Sequence, residues 1–207
     1  VTRSATTPNL LIVHPSVPAN TIKELVDLLR KSSDKYHSYA HPGMGTPSNL
    51  SGELFRMSQN LTLTSIPFGG GGPMVQSVLA GHTPIGFTSL APAAAHIRAG
   101  TLRALAVLAD KRLESLPDIP TMAEAGYPGQ TGETPQGILV PTGTPKEIID
   151  FLRSKVVKII AMPDVKQRLA AIGFTPIGDT PAEFAAFFKA EDQRWGKVIR
   201  DANLKLQ

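Results

Sequence analysis

The chain has no cysteine. Disulfides, thiolate nucleophiles and cysteine-ligated zinc are therefore excluded. Aromatic residues make up only 6% of its 207 residues, with a single tryptophan. Basic residues exceed acidic ones by 21 to 17, but they are scattered, and no block of five like charges occurs. Few aromatics and dispersed cations give little footing for nucleic acid, and none is expected as a partner. No apolar run approaches the ~20 residues of a membrane span. Val1-Thr-Arg-Ser-Ala is neither an initiator methionine nor a charged stretch leading into an apolar one. No signal peptide is read there, and a processed or cut chain is expected. The net charge of +4 and the pI near 9.4 suit an anionic small molecule.

What is present is glycine in particular places. In Tyr39-Ala-His-Pro-Gly-Met-Gly-Thr-Pro-Ser-Asn-Leu50 a short strand leads through Gly43 and Gly45 into a helix opened by Thr46-Pro47. Such a junction aims backbone N–H groups and the positive end of a helix dipole at one point, which makes an anion site. A second junction, Pro67-Phe-Gly-Gly-Gly-Gly-Pro73, follows one helix and one strand later.

The remaining pattern places these loops. Strands are expected at Leu10–Val13, His37–Ala40, Leu61–Pro67, Pro84–Leu90 and Arg103–Ala109. Helices are expected at Thr21–Arg30, from Thr46 to about Met57, from Pro73 to about Ala80, and at Ala91–Ala99. Alternating strands and helices predict an α/β fold with a doubly wound, largely parallel sheet. Ligands of such sheets sit beyond the carboxyl ends of the strands, where both glycine loops lie. After Asp110 the chain reads as a Pro/Gly-rich linker, with one short helix between Pro120 and Gly126. A strand at Gly137–Val140 and helices at Thr144–Ala161, Asp164–Ala171 and Pro181–Ala202 follow. This helical tail brings few strands to cover its apolar faces.

Many conspicuous acids have structural work. Thr-x-x-Glu occurs at Thr21/Glu24, Thr121/Glu124, Thr144/Glu147 and Thr180/Glu183. Each is expected to form a capping box, worth roughly 1 kcal/mol. Nucleotide motifs fail in detail. The Gly-Lys pair at Gly196-Lys197 falls inside a helix, and position 48, where a dinucleotide fingerprint needs its third glycine, is Ser48. His37 and His41 bracket a strand and stand about 13 Å apart, too far for one metal. His14, His82 and His96 read as surface or loop residues. His41 sits at the mouth of the first loop and is a candidate ligand contact. Thr46, Ser48, Thr88 and Ser89 add hydroxyls at the same edge. No acid/base pair converges there, so neither catalysis nor a cofactor is expected. An enzyme of small anionic substrates and a ligand-sensing protein-interaction module stay open as alternatives.

In order along the chain, Leu11-Ile-Val-His-Pro-Ser16, Gly43-x-Gly-Thr46 with Leu50-x-Gly-Glu53-Leu, and Ile66-Pro-Phe68 with Gly70 form a specific set. It continues with Pro92–Gly100 running into Leu102-Arg-Ala-Leu-Ala-Val107, Leu116-Pro-Asp-Ile-Pro-Thr121, Gly143-Thr-Pro-Lys146-Glu147 and a helix carrying Trp195. Together they resemble the Bug-type solute-binding receptors of tripartite tricarboxylate transporters. The resemblance implies a periplasmic-binding-protein-like fold of the type with two crossover strands, here Leu10–Val13 and Gly137–Val140. It implies a complete second lobe at residues 9–130, a lead-in segment at 1–8, and the helix-rich C-terminal part of the first lobe at 131–207. The N-terminal part of that lobe, with its own Pro-Gly-Gly loop, is expected to be absent from this chain. Function follows by the same resemblance: a periplasmic, non-enzymatic receptor that hands a small carboxylate to membrane permease subunits. The implied ligand contacts are His41, Pro42, Gly43, Met44, Gly45, Thr46, Ser48, Phe68, Gly69, Gly70, Thr88 and Ser89. Such receptors usually carry a basic residue at the place of Gly69, often an Asp at that of Thr88, and an aromatic pair at that of Pro135-Gln136. These departures point to a ligand less polar than a short amino- or dicarboxylic acid. Uncovered first-lobe surface is expected to drive self-association.

Overall fold

A computed structural model of the chain describes residues 1–31 and 36–205. In the described residues the order is β1 (Thr2–Val13), α1 (Ile22–Lys31), β2 (Ser38–His41), α2 (Pro47–Ser58), β3 (Thr64–Pro67), α3 (Gly71–Leu79), β4 (Ile85–Ser89), α4 (Leu90–Arg98) and β5 (Arg103–Val107). Then come β6 (Glu133–Ile138), α5 (Lys146–Ala161), α6 (Pro163–Ala171), β7 (Thr175–Pro176) and α7 (Pro181–Asp201).

The larger part of the sheet runs β3-β2-β4-β1-β5. β2 is parallel to β3 and β4, whereas β1 is antiparallel to both β4 and β5. The expectation of a largely parallel sheet thus holds for β2 to β5, with β1 inserted in reverse. The reason is topological. The first half of β1 lies between β6 and β7, both antiparallel to it. A strand shared with that smaller group enters the larger sheet from the edge at which the other strands end.

Leu10-Leu-Ile-Val13 reads as a continuous apolar run because β1 is buried on both faces. Leu11 and Val13 join Leu25, Val26, Tyr39, Phe55 and Phe87 on the side of α1 and α2. Leu10 and Ile12 join Met74, Val75, Val78 and Leu90 on the side of α3 and α4. Each such fully buried aliphatic or aromatic side chain contributes roughly 1.5–3 kcal/mol relative to exposure.

Four expectations need correction. The first strand begins at Thr2 rather than Leu10. Its first half is polar, yet Thr2, Thr7 and Asn9 are fully buried, so apolar patterning could not reveal it. The second crossover strand is Glu133–Ile138, displaced toward the N-terminus from Gly137–Val140, since Thr2–Pro8 pairs with that stretch. The linker's short helix is a turn. Thr121 and Glu124 do cap each other's backbone there, and Met122 is buried in the core. Thr144 does not cap α5, because its hydroxyl donates to the Pro141 carbonyl and Pro145 occupies the N-cap. By contrast, Thr180 and Glu183 form the full capping box of α7.

Candidate functional site

β2, β3 and β4 all end at the sheet edge where β1 enters. Each feeds a helix from there, so the amino ends of α2, α3 and α4 open toward one side. Thr46 caps α2, its hydroxyl accepting from Asn49 N–H at 3.3 Å and donating to the Gly43 carbonyl at 2.7 Å. Pro47 follows in the first turn, where its missing N–H costs nothing. Gly45 has φ +71°, a left-handed conformation that favours glycine.

The two glycine loops are physically joined. Phe68 N–H donates to the His41 carbonyl at 3.0 Å, and Gly70 N–H to the Pro42 carbonyl at 2.9 Å. Residues 41–46 and 68–70 therefore form one continuous wall. A Cβ built on Gly69, Gly70 or Gly72 meets nothing within 4 Å, so this wall faces open space. Gly71 differs: its Cβ would lie 2.9 Å from Pro92 Cγ, which brings the openings of α3 and α4 together.

Not every loop N–H is available. Gly45 N–H is held by Asn49 Oδ1 at 3.0 Å, and Thr46 N–H points at the Gly43 carbonyl at 3.4 Å. Among the described residues the N–H groups of Met44, Ser48, Gly69, Gly71 and Gly72 have no hydrogen-bond partner. The donors come as much from the second loop as from the first.

The predicted side chains divide. Met44 is exposed and Phe68 partly buried, an apolar pair beside the polar wall. Gly43 and Thr46 hold the shape of the loop. Ser48 is buried and donates to Asn9 Oδ1 at 2.9 Å. Thr88 is fully buried, with a hydroxyl that has no partner among the described residues. Ser89 is the N-cap of α4 but makes no side-chain cap. His41 is fully buried, its Nδ1 beside the Gly43 carbonyl at 2.9 Å and Nε2 beside Ser65 Oγ at 2.8 Å. Burial holds its pKa below the ordinary histidine value, opposed by the Gly43 carbonyl and, more weakly, by Glu53. A neutral imidazole with both nitrogens engaged shapes the loop from within.

Sequence reasoning missed Asn9, Tyr39, Asn49, Glu53 and Ser65. Asn9 Oδ1 accepts from Ser48 and Thr134, at 2.9 and 3.2 Å. Its backbone N–H reaches the Gly132 carbonyl, so it ties α2, β1 and the approach to β6 together. The available signal was the polar stretch Ser48-Asn-Leu-Ser-Gly-Glu53 in a helix that also carries core residues.

The electrostatics are set by what is missing near the helix starts. α1, α5, α6 and α7 each carry an acid in the first turn, namely Glu24, Glu147, Asp164 and Glu183. α2, α3 and α4 carry none. An acidic side chain in the first turn offsets the positive helix end by roughly 0.3–1 kcal/mol. Among the described helices, those at this edge are the ones left uncompensated. No group of three or more metal-binding side chains occurs among the described residues.

A sheet of this topology, with open helix ends along one edge and a strand running on into a second sheet, is the architecture of periplasmic binding proteins. Solved structures agree. One described as a periplasmic transporter superposes with TM-score 0.92 at 34% identity, covering all of this chain and 69% of the other. An R. palustris protein determined with adipate gives TM-score 0.87 at 31% identity, covering 97% of this chain and 67% of that one. MatC from Rhodopseudomonas palustris, with bound malate, gives 0.86 at 29% identity, covering 94% and 67%.

The sequence profile described as the tripartite tricarboxylate transporter family receptor matches residues 1–204, and the chain belongs to that family. Among curated relatives, the protein in the tcbD-tcbE intergenic region of a Pseudomonas species is 34% identical across 99% of this chain. Protein BugT of Bordetella pertussis is 30% identical across 97%. The chain spans 61% of the length of each of these relatives.

Proposed function

We propose that the chain is the ligand-gripping part of an extracytoplasmic receptor that captures a small carboxylate for a tripartite transporter. The observation that carries this reading is the absence of first-turn acids on α2, α3 and α4, when the other four helices each have one. Carboxylate oxygens would accept from the unpaired N–H groups of Met44, Ser48, Gly69, Gly71 and Gly72, and the helix ends would supply the positive potential. Met44 and Phe68 would flank the aliphatic part of the ligand. Adipate and malate in two structural neighbours fit this class of ligand. The fold and the family are those of solute-binding receptors rather than enzymes. In this reading residues 9–130 form one lobe and 131–207 belong to another, joined through β1 and β6. The partners are membrane permease subunits, met on the far side of the cytoplasmic membrane.

Gly72 tests the reading. It lies in the first turn of α3 with open space where a Cβ would go. Gly72→Asp adds a charge that suits the helix end and competes with a ligand carboxylate. Gly72→Asn adds nearly the same volume without the charge. A thermal-shift titration should show the less polar adipate stabilising the wild-type chain, by about 2.7 kcal/mol at one hundred times Kd, and malate stabilising it less at equal concentration. Gly72→Asp should weaken binding at least tenfold more than Gly72→Asn while folding slightly more stably without ligand. Equal affinities for the two variants would sink the proposal.

A further inference from the structure

Behind the first loop lies a buried set of polar side chains that the ligand-binding reading does not use. Glu53 is buried, and its Oε2 accepts from Arg56 Nε at 2.9 Å and Nη2 at 2.8 Å. Its Oε1 accepts from the Tyr39 hydroxyl at 2.6 Å. The Tyr39 oxygen accepts from Asn49 Nδ2 at 3.2 Å, and the same amide donates to Ser65 Oγ at 3.3 Å. Asn49 Oδ1 takes the Gly45 N–H at 3.0 Å. Ser65 Oγ meets His41 Nε2 at 2.8 Å, and His41 Nδ1 meets the Gly43 carbonyl at 2.9 Å. Gly52 lets the Tyr39 ring lie directly against α2, since a Cβ there would be 2.4 Å from Tyr39 Cε2.

Proton counting gives this chain of bonds one direction. A carboxylate only accepts, so the single hydroxyl proton of Tyr39 goes to Glu53. The Tyr39 oxygen then faces a donor, which puts Asn49 Nδ2 toward it and leaves Oδ1 for Gly45 N–H. The Gly43 carbonyl only accepts and lies 2.9 Å from His41 Nδ1, nearer than the Gly43 N–H at 3.3 Å, so the imidazole proton sits on Nδ1. A neutral ring then leaves Nε2 as the acceptor, and Ser65, which accepts from Asn49, donates to it.

We propose that Glu53 is a positioning residue whose carboxylate polarises a buried relay, Glu53–Tyr39–Asn49–Ser65–His41, that fixes both glycines of the Pro42–Thr46 loop. The proposal deepens the ligand-binding reading of that loop and rests on it for its functional meaning. The relay itself is a property of the folded chain. The low basicity that burial gives His41 fits a neutral ring with one proton.

Glu53→Gln reverses the direction. Arg56 keeps the amide oxygen, so the Gln nitrogen faces Tyr39 and donates to it. The Tyr39 proton turns to Asn49, whose amide flips to present its oxygen. Its NH2 then confronts the Gly45 N–H, two donors with no acceptor between them. Ser65 turns its proton to Asn49 and accepts from His41 Nε2, leaving Nδ1 as an acceptor for the nearby Gly43 N–H. A purely structural role for Glu53 would change stability without moving the histidine proton.

Nitrogen-15 NMR of the labelled 207-residue chain reads both ends of the relay. The wild type should carry the His41 proton on Nδ1. Glu53→Gln should move it to Nε2 and speed exchange of the Gly45 amide roughly tenfold, as the loss of one hydrogen bond implies. Tyr39→Phe, which cuts the relay in its middle, should free the Asn49 amide, give mixed His41 tautomers and speed the same exchange. A folded Glu53→Gln chain with the proton still on Nδ1 and unchanged Gly45 exchange overturns the proposal. Should that variant not fold, the same unchanged result in Tyr39→Phe overturns it. Titration with adipate and malate is a separate arm, expected to show weaker binding by Glu53→Gln. If neither binds the wild type, the functional reading fails while the NMR result still decides the relay.

Discussion

The part of the chain between Asn9 and Gln130 and the part after it handle apolar residues in opposite ways. In the first part β1 is buried on both faces and α1 alone buries Ile22, Leu25, Val26 and Leu29. In the second, α5 and α6 have no buried residue at all, although α5 runs for 16 residues and carries Ile148, Phe151 and Ile159 in the open. α7 differs by burying Phe184, Trp195 and Val198, with Trp195 and Val198 packing against Leu50 of α2. Helical spacing is present in both regions. Packing makes the difference, since an amphipathic face stabilises a helix only where another surface covers it.

The sharpest test of this contrast pairs two phenylalanines. Phe87, fully buried between Tyr39 and Phe55, should cost about 3–5 kcal/mol when replaced by Ala, through lost burial and the cavity left behind. A loss below about 1 kcal/mol in chemical denaturation would break the comparison.

A smaller effect should come with acid. Burial lowers the folded-state pKa of His41, so the unfolded chain binds its proton more readily. The stability contributed by the neutral ring is present above the unfolded value near 6.5. It should fall as pH drops below that value and level off below the folded one. Denaturant midpoints from pH 8 to pH 5 should show this slope in the wild type and lose it in His41→Asn.

The smallest change is expected on α5. Phe151 is 58% exposed, so Phe151→Ala should change monomer stability by less than about 0.5 kcal/mol. Its effect should appear in association instead. The wild-type chain should scatter light as larger species at high protein concentration, and Phe151→Ala should do so less. A clean monomer at every concentration would remove the association.

The existence and kind of most elements could be read directly from the sequence because the local signals agreed. Thr46-Pro47 opens α2 as capping and the fixed proline φ dictate, and Gly81 follows α3 with φ +73°. The glycine loops were also legible, as turns that must open helices. The polar half of β1 and the first four residues of β6, Glu133 to Gln136, were not. Thr2 and Thr7 are buried against strand partners more than a hundred residues away, and no local period encodes that. Thr144 misled for a related reason. The capping pattern is present, but Pro141 offers its hydroxyl a competing acceptor.

The candidate site divides along the same line. Sequence by itself determined which helices would begin without an acid and where glycine would clear the space before them, because both are properties of a few adjacent residues. The tertiary structure decided which N–H groups remain open and which are turned inward. Asn49, Glu53 and Ser65 reach the loop only when α2, β2 and β3 are packed together. Hydrogen-bond direction is a property of the whole buried set rather than of any one member.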